Sequence, residues 1–313
     1  MAFDDGPAFE EPAQPNGQDF TVSWTGLVSR TFTLWLRKIG KYLLIAAIPL
    51  IFLYAIEALV FYIYFGASIS SFYTAISSDP LTLLVNIFVF AFDPVLVTAL
   101  IALLVISAII STLVAGAIYK FGLDNYGAPD RGDVGASFHF AIGRIVPLIV
   151  VQFVITLISS VLTLPGLYLS AIALVSSDLI LLLTSSMVAL GATLINLYIQ
   201  VRLSVATVLV IAEDHSIVDA LKKSFNMSGG QFWHIVAGQV LLGILVLVIG
   251  GIFILFLIPA VMLFTVDYFI ALTAIVLLLF LPQILVAPLQ NIFKVVLYRD
   301  LQSRTTVTQQ TWW

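Results

Sequence analysis

The histidines and acidic residues are the first places to look for chemistry. His139, His215 and His234 form no HExxH motif and no metal-ligating pair. A zinc site needs three or four converging ligands, and the best fragment, His215 beside Glu213 and Asp214, matches a polar loop better. GxSxG, P-loop and GxGxxG motifs are absent from the sequence, and so is cysteine. The residues therefore predict a protein that is not an enzyme and has no catalytic residues, metal or cofactor.

Glu57 is the one acidic residue well inside an apolar stretch, and it is the candidate intramembrane polar site. It follows Lys41 by 16 residues, which is about 24 Å along a helix. Ionisable residues inside membrane spans often mark functional sites. Glu57 is interpreted as an ion or proton ligand, as a polar lock between helices, or as a carboxylate that reaches outer water.

Six basic residues are candidate contacts for lipid headgroups or other interface groups: Lys120, Arg144, Arg202, Lys222, Lys223 and Lys294. Long cationic side chains beside apolar segments can reach lipid phosphates. Three tyrosines near the inner helix ends, Tyr119, Tyr198 and Tyr298, are predicted to be interface anchors. Membrane lipids are the predicted partners, with a membrane protein or further copies of the chain. The net charge of −4 gives no reason to expect nucleic acid.

The elements that position these residues are predicted to be membrane-spanning helices. Of the 313 residues, 61% are hydrophobic and 10% are charged, and the mean hydropathy is +1.12. A soluble domain has roughly 45–50% apolar and about 25% charged residues. Six stretches reach the length of about 20 apolar residues that a helix needs to cross a bilayer. None of them alternates apolar and polar residues as the strands of a membrane β-barrel do. The predicted fold is an all-α polytopic membrane bundle with spans at Tyr42–Phe65, Val95–Tyr119, Ile145–Leu164, Leu179–Tyr198, Ile235–Leu257 and Tyr268–Phe293.

The basic residues also predict the orientation. All 13 lysines and arginines lie before the first span, after the sixth, or in the second-to-third and fourth-to-fifth connections. The connections 66–94, 165–178 and 258–267 contain none. Under the positive-inside rule, both termini are cytoplasmic in a cell-membrane protein.

The predicted organisation is a disordered cytoplasmic tail over 1–20, a six-helix domain over 21–304 and a C-terminal cytoplasmic tail over 305–313. The first tail has five acids and three prolines, which suits a solubilising leader or an acidic docking arm. Two further apolar segments either lie at the membrane interface or extend a neighbouring span: Leu81–Phe92 and Leu203–Ala212.

A weak threefold internal repeat precedes spans one, three and five. A hydroxyl residue stands before a phenylalanine each time: Thr31-Phe32, Ser137-Phe138 and Ser224-Phe225. The predicted unit is an amphipathic interfacial helix followed by a helical hairpin. In the third unit, Ser216 is predicted to cap a helix with Asp219. The apolar face of that helix is predicted to lie on the inner leaflet or on a cytoplasmic partner.

Residues 196–236 combine an arginine, an apolar run, an acidic residue and an Ala-Leu-basic-Ser-aromatic helix. With LPGLYL at Leu164–Leu169 and VVLYRDLQSR at Val295–Arg304, this pattern resembles the six-helix membrane domain that accompanies some glycerophosphodiester phosphodiesterases and related prokaryotic membrane proteins. The resemblance implies that phosphodiesterase chemistry belongs to a separate soluble domain, for which the six spans leave no residues.

The function predicted from these features is a non-enzymatic subunit or scaffold that organises a partner complex or lipids. The alternative is a transporter or channel for a lipid-like or small apolar substrate. Ser107, Ser111 and Ala115 recur every four residues and predict a packing face. A membrane-embedded enzyme is disfavoured because the sequence predicts no convergence of polar groups inside the spans.

Overall fold

The computed structural model describes residues 20–65, 94–127, 130–176, 178–213, 216–263 and 268–310. Six helices in these ranges are long and apolar enough to cross a membrane, so the all-α polytopic bundle is confirmed. The predicted segment Leu81–Phe92 lies outside the described residues. The helices are α1 (Trp24–Arg37), α2 (Ile39–Phe65), α3 (Pro94–Gly127), α4 (Val134–Gly143), α5 (Ile145–Ser176), α6 (Leu179–Arg202), α7 (Ala206–Ala212), α8 (Ile217–Met227), α9 (Phe232–Met262) and α10 (Tyr268–Gln310).

Several spanning helices run further than their apolar stretches. The helix α3 continues eight residues beyond Tyr119 to Gly127, and α10 continues past Phe293 to Gln310. The added turns are buried by protein: Phe121 in α3 and residues 295–298 in α10 have almost no exposed surface. Packing therefore continues these helices where hydropathy alone predicted their ends.

The fourth span is interrupted at Arg202, so Leu203–Ala212 does not continue α6 as one helix. The helix α6 ends there, residues 203–205 form a turn, and α7 follows within the protein core. The last carbonyls of a helix lack partners in their own helix. Here the Arg202 carbonyl accepts hydrogen bonds from Ser224 Oγ at 3.0 Å and Ser228 Oγ at 2.9 Å. Two hydroxyls, from Ser224 in α8 and from Ser228 directly after this helix, thus stabilise the break.

Three short helices, α1, α4 and α8, precede the three hairpins. Each has a side-chain N-cap, provided by Ser23, Asp133 and Ser216, and the cap predicted at Ser216 is confirmed by its contact with Asp219. The hydroxyl residues Thr31, Ser137 and Ser224 are fully buried. Each stands eight residues before the first residue of the next spanning helix. In packing, α4 lies against α3, α8 against α7, and α1 against α9 and α10.

The apolar face predicted on α8 is covered by the chain itself at Ala220 and Ser224, whereas Phe225 on the same predicted face is exposed. Ala220, Ser224 and Met227 are buried, and α8 packs against α7. The exposed side of the helix instead presents Val218, Lys222 and Phe225. Because the protein supplies the packing surface, neither lipid nor a partner is needed to cover the buried face.

A buried carboxylate connects the beginning and the end of the chain. Asp300 in α10 is fully buried and accepts hydrogen bonds from Val22 N at 2.8 Å and Arg304 Nε at 3.0 Å, with His234 Nε2 also 3.0 Å away. Arg304 Nη2 donates to the Val22 carbonyl at 2.7 Å. These contacts hold the segment before α1 against α9 and α10.

The two hydroxyls on the Arg202 carbonyl provide a stability test. We expect the double variant Ser224→Ala/Ser228→Ala to lower the free energy of unfolding by about 1–3 kcal/mol, because a buried carbonyl loses its donors. Chemical unfolding of the purified protein in detergent measures this. The control is Ser204→Ala, since the buried Ser204 hydroxyl has no hydrogen-bond partner in the described structure. An equal loss in the control and the double variant contradicts the capping role.

Candidate functional site: a polar cavity between the spans

A cavity of about 600 Å³ lies among α2, α3, α5 and α10, with Thr207 of α7 also on its wall. Its polar and charged lining comes from all five helices: Tyr54, Glu57, Ser107, Ser111, Thr112, Tyr119, Gln152, Thr156, Thr207, Gln283, Gln290, Asn291 and Lys294. The prediction that no polar groups converge inside the spans is therefore wrong. Their convergence results from packing between distant helices.

One face of α10 supplies the longest wall. Phe280, Gln283, Ala287, Gln290 and Lys294 follow one another at intervals of three or four residues and all line the cavity. This spacing places side chains on a single helix face. Polar residues at helical spacing within an apolar segment are visible in the sequence, and they were the pattern that could have identified this wall.

The opposite walls are also lined by single helix faces. Tyr54 and Glu57 come from α2, and Gln152 comes from α5. Ser107 and Ser111, which belong to the predicted packing stripe on α3, line the cavity as well. This stripe therefore borders an open space at these positions.

Glu57 and Lys294 are the acidic and the basic residue of the cavity lining, and neither has a protein partner in the described structure. Neither makes a hydrogen bond or ion pair within the described residues, and the same holds for the amides of Gln283 and Gln290. Gln283 and Gln290 are exposed on the cavity wall, and Glu57 and Lys294 are half-buried. Inside a bilayer, such polar groups are costly unless hydrogen-bonded. The cavity therefore suits water molecules or a polar solute that supplies these bonds.

Two of the three tyrosines that were predicted to be interface anchors are buried inside the protein. Tyr119 is buried, and its Oη accepts a hydrogen bond from Thr207 Oγ1 at 3.3 Å. Tyr298 is also buried and donates to Glu213 Oε1 at 2.7 Å. Neither is an interface anchor, because protein covers both rings. Tyr198 remains exposed.

The other predicted basic residues lie in separate places. Lys120 pairs with Asp124 at 2.8 Å, and both Lys120 and Arg144 approach the Phe140 ring. Lys223 forms an ion pair with Glu213. Arg202 lies over the Phe225 ring, and Lys222 is exposed on α8. The six bases therefore do not form one site, and only Lys294 lines the cavity.

No group of three or more histidine, cysteine, aspartate or glutamate side chains within the described ranges could hold a metal ion. His215, from the predicted metal fragment, lies outside those ranges. Comparison with known proteins finds no matching family model, curated protein or solved structure. The resemblance to the phosphodiesterase-associated membrane domain stays a prediction.

The cavity can be tested with cysteines because the chain has none of its own. We expect Ser111→Cys and Gln290→Cys in nanodiscs to react with a small water-soluble methanethiosulfonate, since thiolate formation requires a hydrated site. Mass spectrometry measures the modification. The control is Leu104→Cys on α3, because the Leu104 side chain is 70% exposed outside the cavity wall and faces lipid in a bilayer. We expect the cavity cysteines to react about tenfold faster; equal rates contradict a hydrated cavity.

Proposed function

We propose that the chain is a membrane transporter whose cavity binds a small amphipathic solute with an anionic group. The cavity itself carries this proposal, because its volume of about 600 Å³ lies within the usual range for small-molecule sites. It also lies inside the spans, where a solute must pass to cross a bilayer.

The lining supports this solute class. Lys294 offers a positive charge without a competing acidic partner in the described structure. The amides of Gln283 and Gln290 provide hydrogen-bond donors and acceptors. Leu50 and Leu53 contribute apolar surface to the same cavity. A short hydrocarbon chain with a carboxylate or phosphate group meets all three surfaces.

A scaffold for a partner complex or lipids is the competing proposal. It is supported by α6, in which only Ser185 and Val201 are buried among the residues of the helix. That helix has a broad apolar surface for lipid, a partner protein or a second copy. Transport is the better supported of the two because a scaffold does not require unpaired polar groups around a cavity between the spans.

The internal repeat and the orientation belong to the same proposal. Buried hydroxyls at Thr31, Ser137 and Ser224, each eight residues before the next spanning helix, support three related units. The distribution of basic residues supports cytoplasmic termini, and the resemblance described above favours a prokaryotic cell membrane.

Lys294 gives the direct test of the solute site. We expect butyl phosphate to raise the thermal unfolding midpoint of the purified protein more than butanol does, because ligand binding stabilises the folded state. Lys294→Gln should weaken butyl phosphate binding by roughly tenfold or more, since a charged hydrogen bond contributes about 1.5–3 kcal/mol. The control is Arg37→Gln, which removes the same charge from the exposed side of α1.

Two results contradict the cavity proposal. One is equal stabilisation by butanol and butyl phosphate, and the other is equal loss of binding in both variants. Flux of butyl phosphate into proteoliposomes then separates transport from static binding. A protein that binds the probe without flux, and that purifies with a stoichiometric partner, supports the scaffold instead.

The orientation has an independent test. We expect cysteines introduced at Ser77 and Ser177 to react with an impermeant maleimide in intact cells, whereas one at Ser303 should be protected. The protein is then purified from the labelled cells, and the amount of maleimide attached to it measures the difference. Permeabilised cells are the control, in which Ser303→Cys should react. The reverse pattern in intact cells contradicts cytoplasmic termini.

A further inference from the structure

We propose that Arg202, Lys222 and the aromatic rings around them bind the phosphate of an anionic phospholipid. The site lies where α6 ends beside α8. It shares no residue with the polar cavity. Its failure would therefore leave the proposed solute site intact.

The guanidinium of Arg202 lies beside two aromatic rings, Phe225 and Tyr198, which contact each other edge to face. Its Cζ lies 3.9 Å from the centroid of the Phe225 ring and 5.6 Å from that of Tyr198. Tyr198 is one turn earlier on α6, and helical side chains point toward the preceding turn. Stacking on aromatic faces orients the guanidinium through cation–π attraction. The rings thus fix a planar group whose N–H donors match a phosphate.

The charges of Arg202 and Lys222 are not neutralised by the protein. In the described ranges, neither side chain has an acidic partner, and the buried Nε of Arg202 has no hydrogen-bond acceptor. Neighbouring bases differ, since Lys223 pairs with Glu213. Lys222 stands three residues before Phe225, so the two side chains lie within one helical turn. Two cations are therefore available beside the same ring.

The aromatic side chains indicate that the phosphate belongs to a lipid. Phe232 lies 5.6 Å from Tyr198 and 5.3 Å from Trp233, measured between ring centroids. Trp233 is 78% exposed. Exposed aromatic rings at the ends of spans are typical of the bilayer interface. A phospholipid can place its phosphate at the cations and its acyl chains along these rings.

Gly229 offers a way to move the guanidinium without removing its charge. A Cβ atom at this position would lie 2.9 Å from Arg202 Nη1. Gly229→Ala therefore requires the end of the Arg202 side chain to shift. Arg202→Lys keeps the charge but loses the planar group. Both variants separate a shaped phosphate site from a general attraction of positive charge to an anionic surface.

Native mass spectrometry of the full-length protein, with added phosphatidylglycerol or phosphatidylcholine, tests the site. We expect phosphatidylglycerol to bind more tightly, and Arg202→Gln and Lys222→Gln each to weaken it about fivefold, as one basic residue contributes about 1 kcal/mol. Arg202→Lys and Gly229→Ala should also weaken binding. Arg37→Gln is the control and should leave it unchanged.

Three outcomes overturn the proposal. They are equal binding of both lipids, an equal loss in the Arg37→Gln control, and complete displacement of phosphatidylglycerol by excess inorganic phosphate, which would assign the site to a soluble anion. Thermal unfolding checks that each variant is folded. Because Lys222 is exposed, Lys222→Gln decides the outcome if Arg202→Gln does not fold. Unchanged butyl phosphate binding in these variants distinguishes the lipid site from the cavity.

Discussion

Hydrocarbon supplies no hydrogen-bond partner, so every polar group that the chain carries into a membrane must be satisfied by the protein, by trapped water or by a ligand. Continuous helices meet this demand for the backbone. Where the fourth span breaks, Ser224 and Ser228 provide donors for the Arg202 carbonyl. The cavity is a second result of the same constraint. In the described structure, Lys294, Gln283 and Gln290 have no protein partner there.

Features that depend on nearby residues could be predicted from the sequence. The spans follow from runs of apolar residues, and the cap at Ser216 follows from Asp219 three residues later. The ends of the helices were harder to predict from the sequence. In α10, the residues after Phe293 continue the helix because they are buried against other helices, and their hydropathy alone does not reveal those neighbours.

The cavity depends on contacts between distant parts of the chain. Gln283, Gln290 and Lys294 have helical spacing, so their common face was accessible in the sequence. Their meeting with Glu57 was not, because it requires α2 and α10 to pack side by side. The sequence also does not distinguish the adjacent residues Lys222 and Lys223. In the structure, Lys222 is exposed and Lys223 pairs with Glu213. Only tertiary packing distinguishes them.

The contact between Val22 and Asp300 has a consequence for biosynthesis. These residues are separated by 278 positions, and Asp300 lies near the end of the last span. During translation, α1 leaves the ribosome long before its carboxylate partner exists. The first helix must therefore wait, undocked, while the other spans enter the bilayer. Joining of the two chain ends is a late step of assembly, and a nascent chain that stops before Asp300 lacks the carboxylate that holds the segment before α1.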